Sequence, residues 1–393
     1  MSDKVLLNTT IPFFKPDFGT EEEEAVLRVL RSGWLTTGPE TLAFETEFAE
    51  FTGCTCALAV NSATSGLMLA LQALGAGPSG AVITTPYTFV STASSALHLG
   101  ARVFWADVET ASYNIDPNRV EDILKREKNV RAIVPVHIAG NPCRMQDLLY
   151  LGERYGAAIV EDAAHAFPSR TPLGTAGTIG DAGVFSFYAT KTITTGEGGM
   201  ICVKDPAAAD MIRRLRSHGI DRTVWDRYTS TRASWIYDVT ELGWKFNLPD
   251  ILSAIGRVQL RRADHLLEQR TAIAIRYTEA FSQEPGLILP PDGPGNAWHL
   301  YLLRFDPERF SVTRDELAAA LQARGLGISM HFIPHFDFTW YRTHCGLTST
   351  DFPAAAAAAA STISLPFWPG MDTAMVQRVI DTVCEVCKNY RRD

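Results

Sequence analysis

From residue 56 to residue 203, short apolar runs alternate with stretches of helical character, and no other feature restricts the fold of this chain so tightly. Residues 56–60, 81–85, 101–106, 132–136, 157–160, 183–187 and 200–203 read as strands, with helices at 65–74 and 90–99 between them. Runs so short and so uniformly apolar suit strands buried on both faces. Strands that alternate with helices make a largely parallel sheet with helices on either side. The pattern predicts an α/β fold whose large domain holds a mostly parallel seven-stranded sheet between helices. Ligands of such sheets collect beyond the carboxyl ends of the strands. Residues just past these runs therefore carry the functional argument.

A second region begins near Pro249, so the expected division is a large domain over residues 1–248 and a smaller C-terminal α/β domain over 249–393. A chain of 393 residues is long enough to bury both cores. The second region reads as a long helix (250–280), a Gly/Pro-rich break (285–295), a strand (298–305) and a helix (314–324). The alanine run at 354–360 reads as a helical turn, since alanine is the best helix former. No repeat is visible, which excludes a solenoid.

With 36 Lys and Arg against 44 Asp and Glu, the formal charge is −8, and no global positive field exists to attract a nucleic acid. The start of the chain lacks a long apolar segment and no run resembles a membrane span, so neither a secretory signal nor a membrane partner is expected. Seven scattered cysteines, an odd number, suit a reducing cytoplasm. Cys384 and Cys387 form a C-x-x-C without a second pair, and Cys54 with Cys56 has the wrong spacing, so no metal site is expected. His331 and His335 are four apart, but Pro334 breaks any helix that would align them on a metal. They read as substrate contacts.

The chemically richest run is Phe185-Ser186-Phe187-Tyr188-Ala189-Thr190-Lys191-Thr192-Ile193-Thr194-Thr195-Gly196-Glu197-Gly198-Gly199. An apolar strand ends in hydroxyl residues, offers one lysine, and turns through glycines. Burial there would disfavour the ammonium and make the amine nucleophilic, as a Schiff-base lysine requires. The ordinary alternative is a solvated loop lysine. Glu161-Asp162-Ala163-Ala164-His165 follows another strand; a buried acid needs a cation, and a protonated pyridine nitrogen is one. Asp162 would equally suit a helix N-cap. Asn61-Ser62-Ala63-Thr64-Ser65-Gly66 lies where a strand meets a helix, so its backbone N–H groups would hold a phosphate. Thr85-Pro86-Tyr87-Thr88-Phe89 could place an aromatic face on a flat ring, although such aromatics are more often core.

Phosphate cradle, stacking ring, carboxylate and lysine follow one another along one parallel-sheet domain. With these residues the chain resembles the DegT/DnrJ/StrS-type sugar aminotransferases, pyridoxal-phosphate enzymes of the aspartate-aminotransferase fold (fold type I). The resemblance runs over nearly the whole chain. It includes Ser32-Gly33-Trp34-Leu35-Thr36-Thr37-Gly38-Pro39, Phe44-Glu45, Gly243-Trp244-Lys245-Phe246-Asn247, His299-Leu300-Tyr301 and Ser364-Leu365-Pro366. It implies that Lys191 carries pyridoxal 5'-phosphate as a Schiff base, that Asp162 pairs with the ring nitrogen, and that Phe89 stacks on the ring. It also implies that His165 lies beside the cofactor and that Ala63, Thr64 and Ser186 bind its phosphate. Lys245 stands where many members carry an asparagine that reaches the phosphate of the neighbouring subunit, so a homodimer with shared active sites is implied.

Six arginines and two aspartates between Arg213 and Arg232 give a local charge of +4, a counter-ion for a nucleotide diphosphate. Arg213, Arg214 and Arg216 read as a solvated helix face. Arg222, Arg227 and Arg232, near Trp225 and Tyr228, are the better substrate contacts, together with His331. The expected reaction moves an amino group from L-glutamate to a nucleotide-linked keto-deoxysugar, a thymidine-diphosphate 4-keto-6-deoxyhexose on the resemblance, by a ping-pong mechanism. A keto-cyclitol as acceptor and a non-catalytic regulatory protein remain alternatives. A sugar dehydratase is disfavoured, because the resemblance implies a histidine at the lysine position in such members.

Overall fold

The computed structural model of the chain describes residues 10–221, 236–293 and 295–392. In chain order the strands of the first region are β1 (Cys56–Val60), β2 (Ala81–Thr84), β3 (Arg102–Trp105), β4 (Val130–Ile133), β5 (Ala158–Asp162), the small hairpin β6 (Arg170–Thr171) and β7 (Gly174–Thr175), β8 (Ala182–Ser186) and β9 (Gly199–Val203). Seven of them form one sheet in the order β1-β9-β8-β5-β4-β2-β3. The pairs from β3 through β2, β4 and β5 to β8 are parallel. β9 runs antiparallel to both β8 and β1. The expected mostly parallel seven-stranded sheet is present, with one reversed strand. The reversal has a simple cause. The lysine-bearing run joins β8 to β9 without a crossover helix, so the chain can only return antiparallel.

Helices cover both faces. Helix Ala63–Ala73 buries Leu67, Leu69 and Leu71 against Val60, Val184 and Ile201 of the sheet. On the opposite face Phe44 and Phe48, from helix Pro39–Thr52, pack with Phe167, Phe185 and Phe187. Asp250 fixes the start of that helix, since its carboxylate accepts from the Gly38, Glu40 and Thr41 N–H groups. This is the structural use of the Thr37-Gly38-Pro39 segment.

The expected single helix over 250–280 is two helices, Asp250–Arg261 and Ala263–Phe281. The first packs on helix Thr20–Ser32 through Ala25, Val29, Ala254 and Val258. The second carries Tyr277 and Phe281 into the C-terminal core, so the chain must change direction at Arg262. The Arg262 guanidinium holds the bend by pairing with Asp17 and Glu22. The expected strand 298–305 is also shorter. Only β11 (Leu302–Phe305) is extended, between β10 (Leu287–Ile288) and β12 (Thr362–Ser364). Ala297 N instead donates to the Gly140 carbonyl, and His299 N and Leu300 N to the Ala139 carbonyl, in the large sheet's loops. Arg216 departs from its expected solvated place: it is 5% exposed, pairs with Glu45 and donates to the Ala59 carbonyl at 2.8 Å. Arg213 and Arg214 do lie near the surface, paired with Asp210 and Glu241.

Gly199 opens β9 where the sheet meets the start of helix Ala63–Ala73. A β-carbon there would lie 2.7 Å from the Phe185 carbonyl oxygen and 2.9 Å from the Ala63 nitrogen. Both neighbours are backbone and cannot swing away. Gly199→Ala therefore costs about 1–3 kcal/mol of overpacking, more than the roughly 0.5–1 kcal/mol gained by removing a glycine from a strand. A lowered midpoint of thermal unfolding is expected, and a raised one would contradict this packing.

Candidate active site

The run that carries Lys191 is tied down by its own hydroxyls. Thr195 N donates to the Phe187 carbonyl at 3.0 Å and Phe187 N to the Gly198 carbonyl at 2.9 Å, closing the loop at its neck. The Thr194 hydroxyl adds a bond to the same Phe187 carbonyl, and the Thr192 hydroxyl reaches the Phe167 carbonyl at 2.6 Å. The threonines thus satisfy a buried turn that would otherwise leave carbonyls unpaired. Lys191 is half-buried, and its amine points into a cavity of about 450 Å³. Desolvation lowers its pKa to about 8, against the pull of Asp162, which favours the charged form.

Asp162 ends β5 and is buried. Burial raises the pKa of its carboxyl, opposed by hydrogen bonds from the Thr92 hydroxyl (2.8 Å) and the Ala164 N–H (3.2 Å) and by the charge of Lys191. It does not cap a helix. Its neighbour Glu161 points the other way, fully buried, and accepts from Gly177 N, Ile179 N, Gly180 N and His137 Nε2 at 2.7–2.9 Å. Because His137 Nδ1 accepts from Cys143 N at 3.0 Å, the ring proton sits on Nε2, toward Glu161. The two adjacent acids have separate work: Glu161 staples the loop beneath the sheet, and Asp162 faces the cavity.

Ala63 and Thr64, at the start of helix Ala63–Ala73, line the same cavity. Ser62 caps that helix by accepting from Ser65 N at 3.2 Å, while the first-turn N–H groups have no intrahelical acceptor. Ser186 at the end of β8 and Phe89 beyond β2 complete this side; Phe89 is 60% exposed although apolar. His165 stacks on Phe332 (5.5 Å between centroids) and accepts from Ala139 N at its Nδ1. Burial, then the charges of Lys191 and His331, hold its pKa well below the usual imidazole value. His331 faces the cavity as well, with Nδ1 2.8 Å from the Ser364 hydroxyl, and burial lowers its pKa to about 4.

Of the residues singled out from sequence, the cavity gathers Ala63, Thr64, Phe89, Asp162, His165, Ser186, Lys191 and His331. Lys245 lies outside this lining, near the end of β1, where its carbonyl approaches the Asn61 amide. Arg222, Arg227, Tyr228, Trp225 and Arg232 lie outside the described residues. His335 is not a substrate contact: it is fully buried and its Nδ1 lies 3.0 Å from the Trp105 indole nitrogen. Sequence reasoning missed Thr92, which supports Asp162 from the helix after β2, and Phe332, Phe13 and Phe14, which wall the cavity. His299 had been noticed only as part of a motif.

A model of the DegT/DnrJ/EryC1/StrS aminotransferase family matches residues 16–384. The chain belongs to this family. The spore coat polysaccharide biosynthesis protein SpsC of Bacillus subtilis is 43% identical over 384 residues, 97% of this chain and 98% of that protein. Among solved structures, the aminotransferase TlmJ of Streptoalloteichus hindustanus superposes with a TM-score of 0.87 at 32% identity, covering 96% of this chain and 99% of that one. A candidate sugar aminotransferase of Streptococcus pneumoniae in its PLP form gives a TM-score of 0.87 at 28% identity, covering 97% and 99%. Membership makes the chain a pyridoxal-phosphate-dependent aminotransferase of the corresponding α/β fold. The residues present fit that cofactor. They offer a desolvated amine, a buried carboxylate short of a cation, and a helix N-terminus that Gly199 leaves open on the sheet side.

Two outcomes follow from this geometry. In the cofactor-free protein, the Lys191 amine should react with an amine-labelling reagent with a midpoint near pH 8, since the neutral form reacts and its fraction rises with pH. Peptide mapping should place that label on Lys191 and find it absent in Lys191→Ala. Labelling of Lys191 that begins only near pH 10 would contradict a desolvated amine. Thr92→Val removes one hydrogen bond to the Asp162 carboxylate, an interaction of roughly 1.5–3 kcal/mol. Cofactor affinity measured by absorbance titration should fall about tenfold or more; an unchanged affinity would remove Thr92 from the site.

Proposed function

We propose that this aminotransferase moves the amino group of L-glutamate to the ketone of a nucleotide-linked keto-deoxysugar, a thymidine-diphosphate 4-keto-6-deoxyhexose, in two ping-pong half-reactions. The carrying observation is the meeting of Lys191 and Asp162 across one cavity in a chain 43% identical to a polysaccharide biosynthesis protein. Lys191 would hold the cofactor through Nζ, with Asp162 at the ring nitrogen, Phe89 on the ring face, and Ala63, Thr64 and Ser186 at the phosphate. When bound, pyridoxal phosphate supplies an electron sink for the pair left when the donor's α-proton departs.

The chain's own groups do the rest. Lys191, with a pKa lowered to about 8, is a base at neutral to mildly alkaline pH, and its Nζ takes the α-proton of the donor and returns it as an acid. Burial raises the pKa of the Asp162 carboxyl, so a cation opposite it is favoured, and the carboxylate would hold a proton on the ring nitrogen. Neutral His165, fixed by Ala139 N, keeps that wall of the cavity uncharged. The aromatic side chains Phe13, Phe332 and Phe367 make part of the cavity wall apolar.

A homodimer is part of this reading. Leu27, Leu30, Leu35, Leu42 and Leu242 expose apolar side chains, Leu242 at 92%, and Phe89 and Tyr188 do so at the cavity itself. A second copy covering Phe89 and Tyr188 at the cavity would bring Lys245 to the neighbouring cavity.

The acceptor is tested by loading the enzyme with glutamate and offering, separately, a thymidine-diphosphate 4-keto-6-deoxyhexose and a keto-inositol. The amino sugar nucleotide should form and the aminocyclitol should not. The reverse would replace the sugar reading by the cyclitol one, and the absence of any absorbance change on adding glutamate would point to a regulatory protein.

A further inference from the structure

His299 lines the cavity from the C-terminal side, yet the proton chemistry above makes no use of it. Its backbone is held in an unusual way. Trp298 has φ 47°, in a region that side chains other than glycine rarely enter. The surroundings impose this strain. The Asn296 side chain accepts from Trp298 N at 2.8 Å, and the Ala139 carbonyl accepts from His299 N at 2.9 Å. The Arg270 guanidinium donates to the Trp298 and His299 carbonyls at 3.3 and 3.2 Å. Strain over-determined by its neighbours is characteristic of positions that clamp a ligand.

The electrostatics select the kind of ligand. Arg270 is fully buried, burial lowers its pKa to about 9, and its Nε has no hydrogen-bond partner among the described residues. Burial holds the His299 ring neutral, helped by the neighbouring His165, Lys191 and Arg270. Lys191 and Arg270 are the cationic groups near this ring, and their field favours an anion. His299 Nδ1 is sealed and unpartnered among the described residues, so Nε2 is the nitrogen left to meet a ligand. A lone pair on the sealed Nδ1 is favoured by the positive field, which leaves the proton on Nε2.

We propose that His299 Nε2–H binds a carboxylate oxygen of the amino donor, with Arg270 as the positioning residue that holds its backbone. The proposal rests on the glutamate reading above. The ring lines the same cavity as Lys191 and lies within its electrostatic reach, and the donor's carboxylate sits one bond from the α-carbon that reacts there. The diphosphate of a nucleotide sugar lies several bonds from its ketone and would fall elsewhere.

The experiment mixes glutamate alone with the cofactor-loaded enzyme and follows cofactor absorbance, and titrates the same protein with glutarate, a dicarboxylate without an amine. In His299→Phe the glutamate concentration for half-maximal rate should rise about 10- to 100-fold, as expected for a hydrogen bond to a charged group. Glutarate affinity should fall in parallel. His299→Gln, whose amide nitrogen can replace Nε2, should recover most of both; His299→Asn, which replaces Nδ1, should not. Unchanged glutamate and glutarate affinities in His299→Phe overturn the proposal, as does a loss confined to the sugar half-reaction. A wild-type enzyme inert to glutamate but reactive with another amino acid overturns the glutamate reading, and the same ranking of variants on that donor then decides the role of His299.

Discussion

Two groups that each resist charge when buried, the Lys191 amine and the Asp162 carboxyl, face one cavity, and the rest of the fold serves to keep them there. Desolvation pushes the amine down to about 8 and the carboxyl up, while each partly restores the charge of the other. Neither arrangement survives on a mobile loop open to water. The parallel strand β5 delivers Asp162 at its carboxyl end, and β8 delivers the lysine run from the strand beside it. The return strand β9 then shuts that run into a closed neck instead of a crossover. Sheet topology and amine chemistry are therefore one constraint: reversing β9 is what places a short, hydroxyl-tied turn over the cavity.

The sheet was readable because its strands are buried on both faces and so appear as uninterrupted apolar runs. The same logic failed in the C-terminal part. Residues 298–305 are mostly apolar, but only the last four form a strand; His299 N and Leu300 N bond instead to the Ala139 carbonyl, which no local pattern records. The helix over 250–280 has an unbroken helical sequence. Its bend at Arg262 arises from where its two halves must pack, a tertiary demand met by Asp17 and Glu22 more than 200 positions away. Arg216 misled for a related reason. A basic residue at the end of a helix reads as solvated, and its partner Glu45 lies 171 positions away in sequence.

At the site, residues that touch the cavity from strand ends were legible, because topology alone puts strand ends together. Residues that act on those residues were not. Thr92 is one hydroxyl in the run Ser91-Thr92-Ala93-Ser94-Ser95, and nothing local distinguishes it from its neighbours; only the distance of 2.8 Å to Asp162 does. Glu161 and Asp162 are adjacent and chemically alike, yet alternation along β5 sends one to the loop of residues 177–180 and the other to the cavity. His331 and His335 divide in the same way, one facing the cavity and one sealed behind Trp105.

The cavity has two kinds of wall, and the difference bears on how one fold serves one chemistry with different substrates. The sheet side is built from strand ends and a helix N-terminus, with backbone packed so closely that Gly199 admits no β-carbon. That side cannot change shape without disturbing the core. The opposite side is made of Phe13, His299, His331, Phe332 and Phe367, carried by an N-terminal segment and by loops of the C-terminal region. These are side chains on connections; the His331 ring is held by its contact with the Ser364 hydroxyl, while the His299 backbone is fixed by Ala139 and Arg270. Exchanging them alters the cavity without altering the sheet. A rigid wall of strand ends opposite a wall of side chains carried on loops accounts for why the first was readable in this sequence and the second was not.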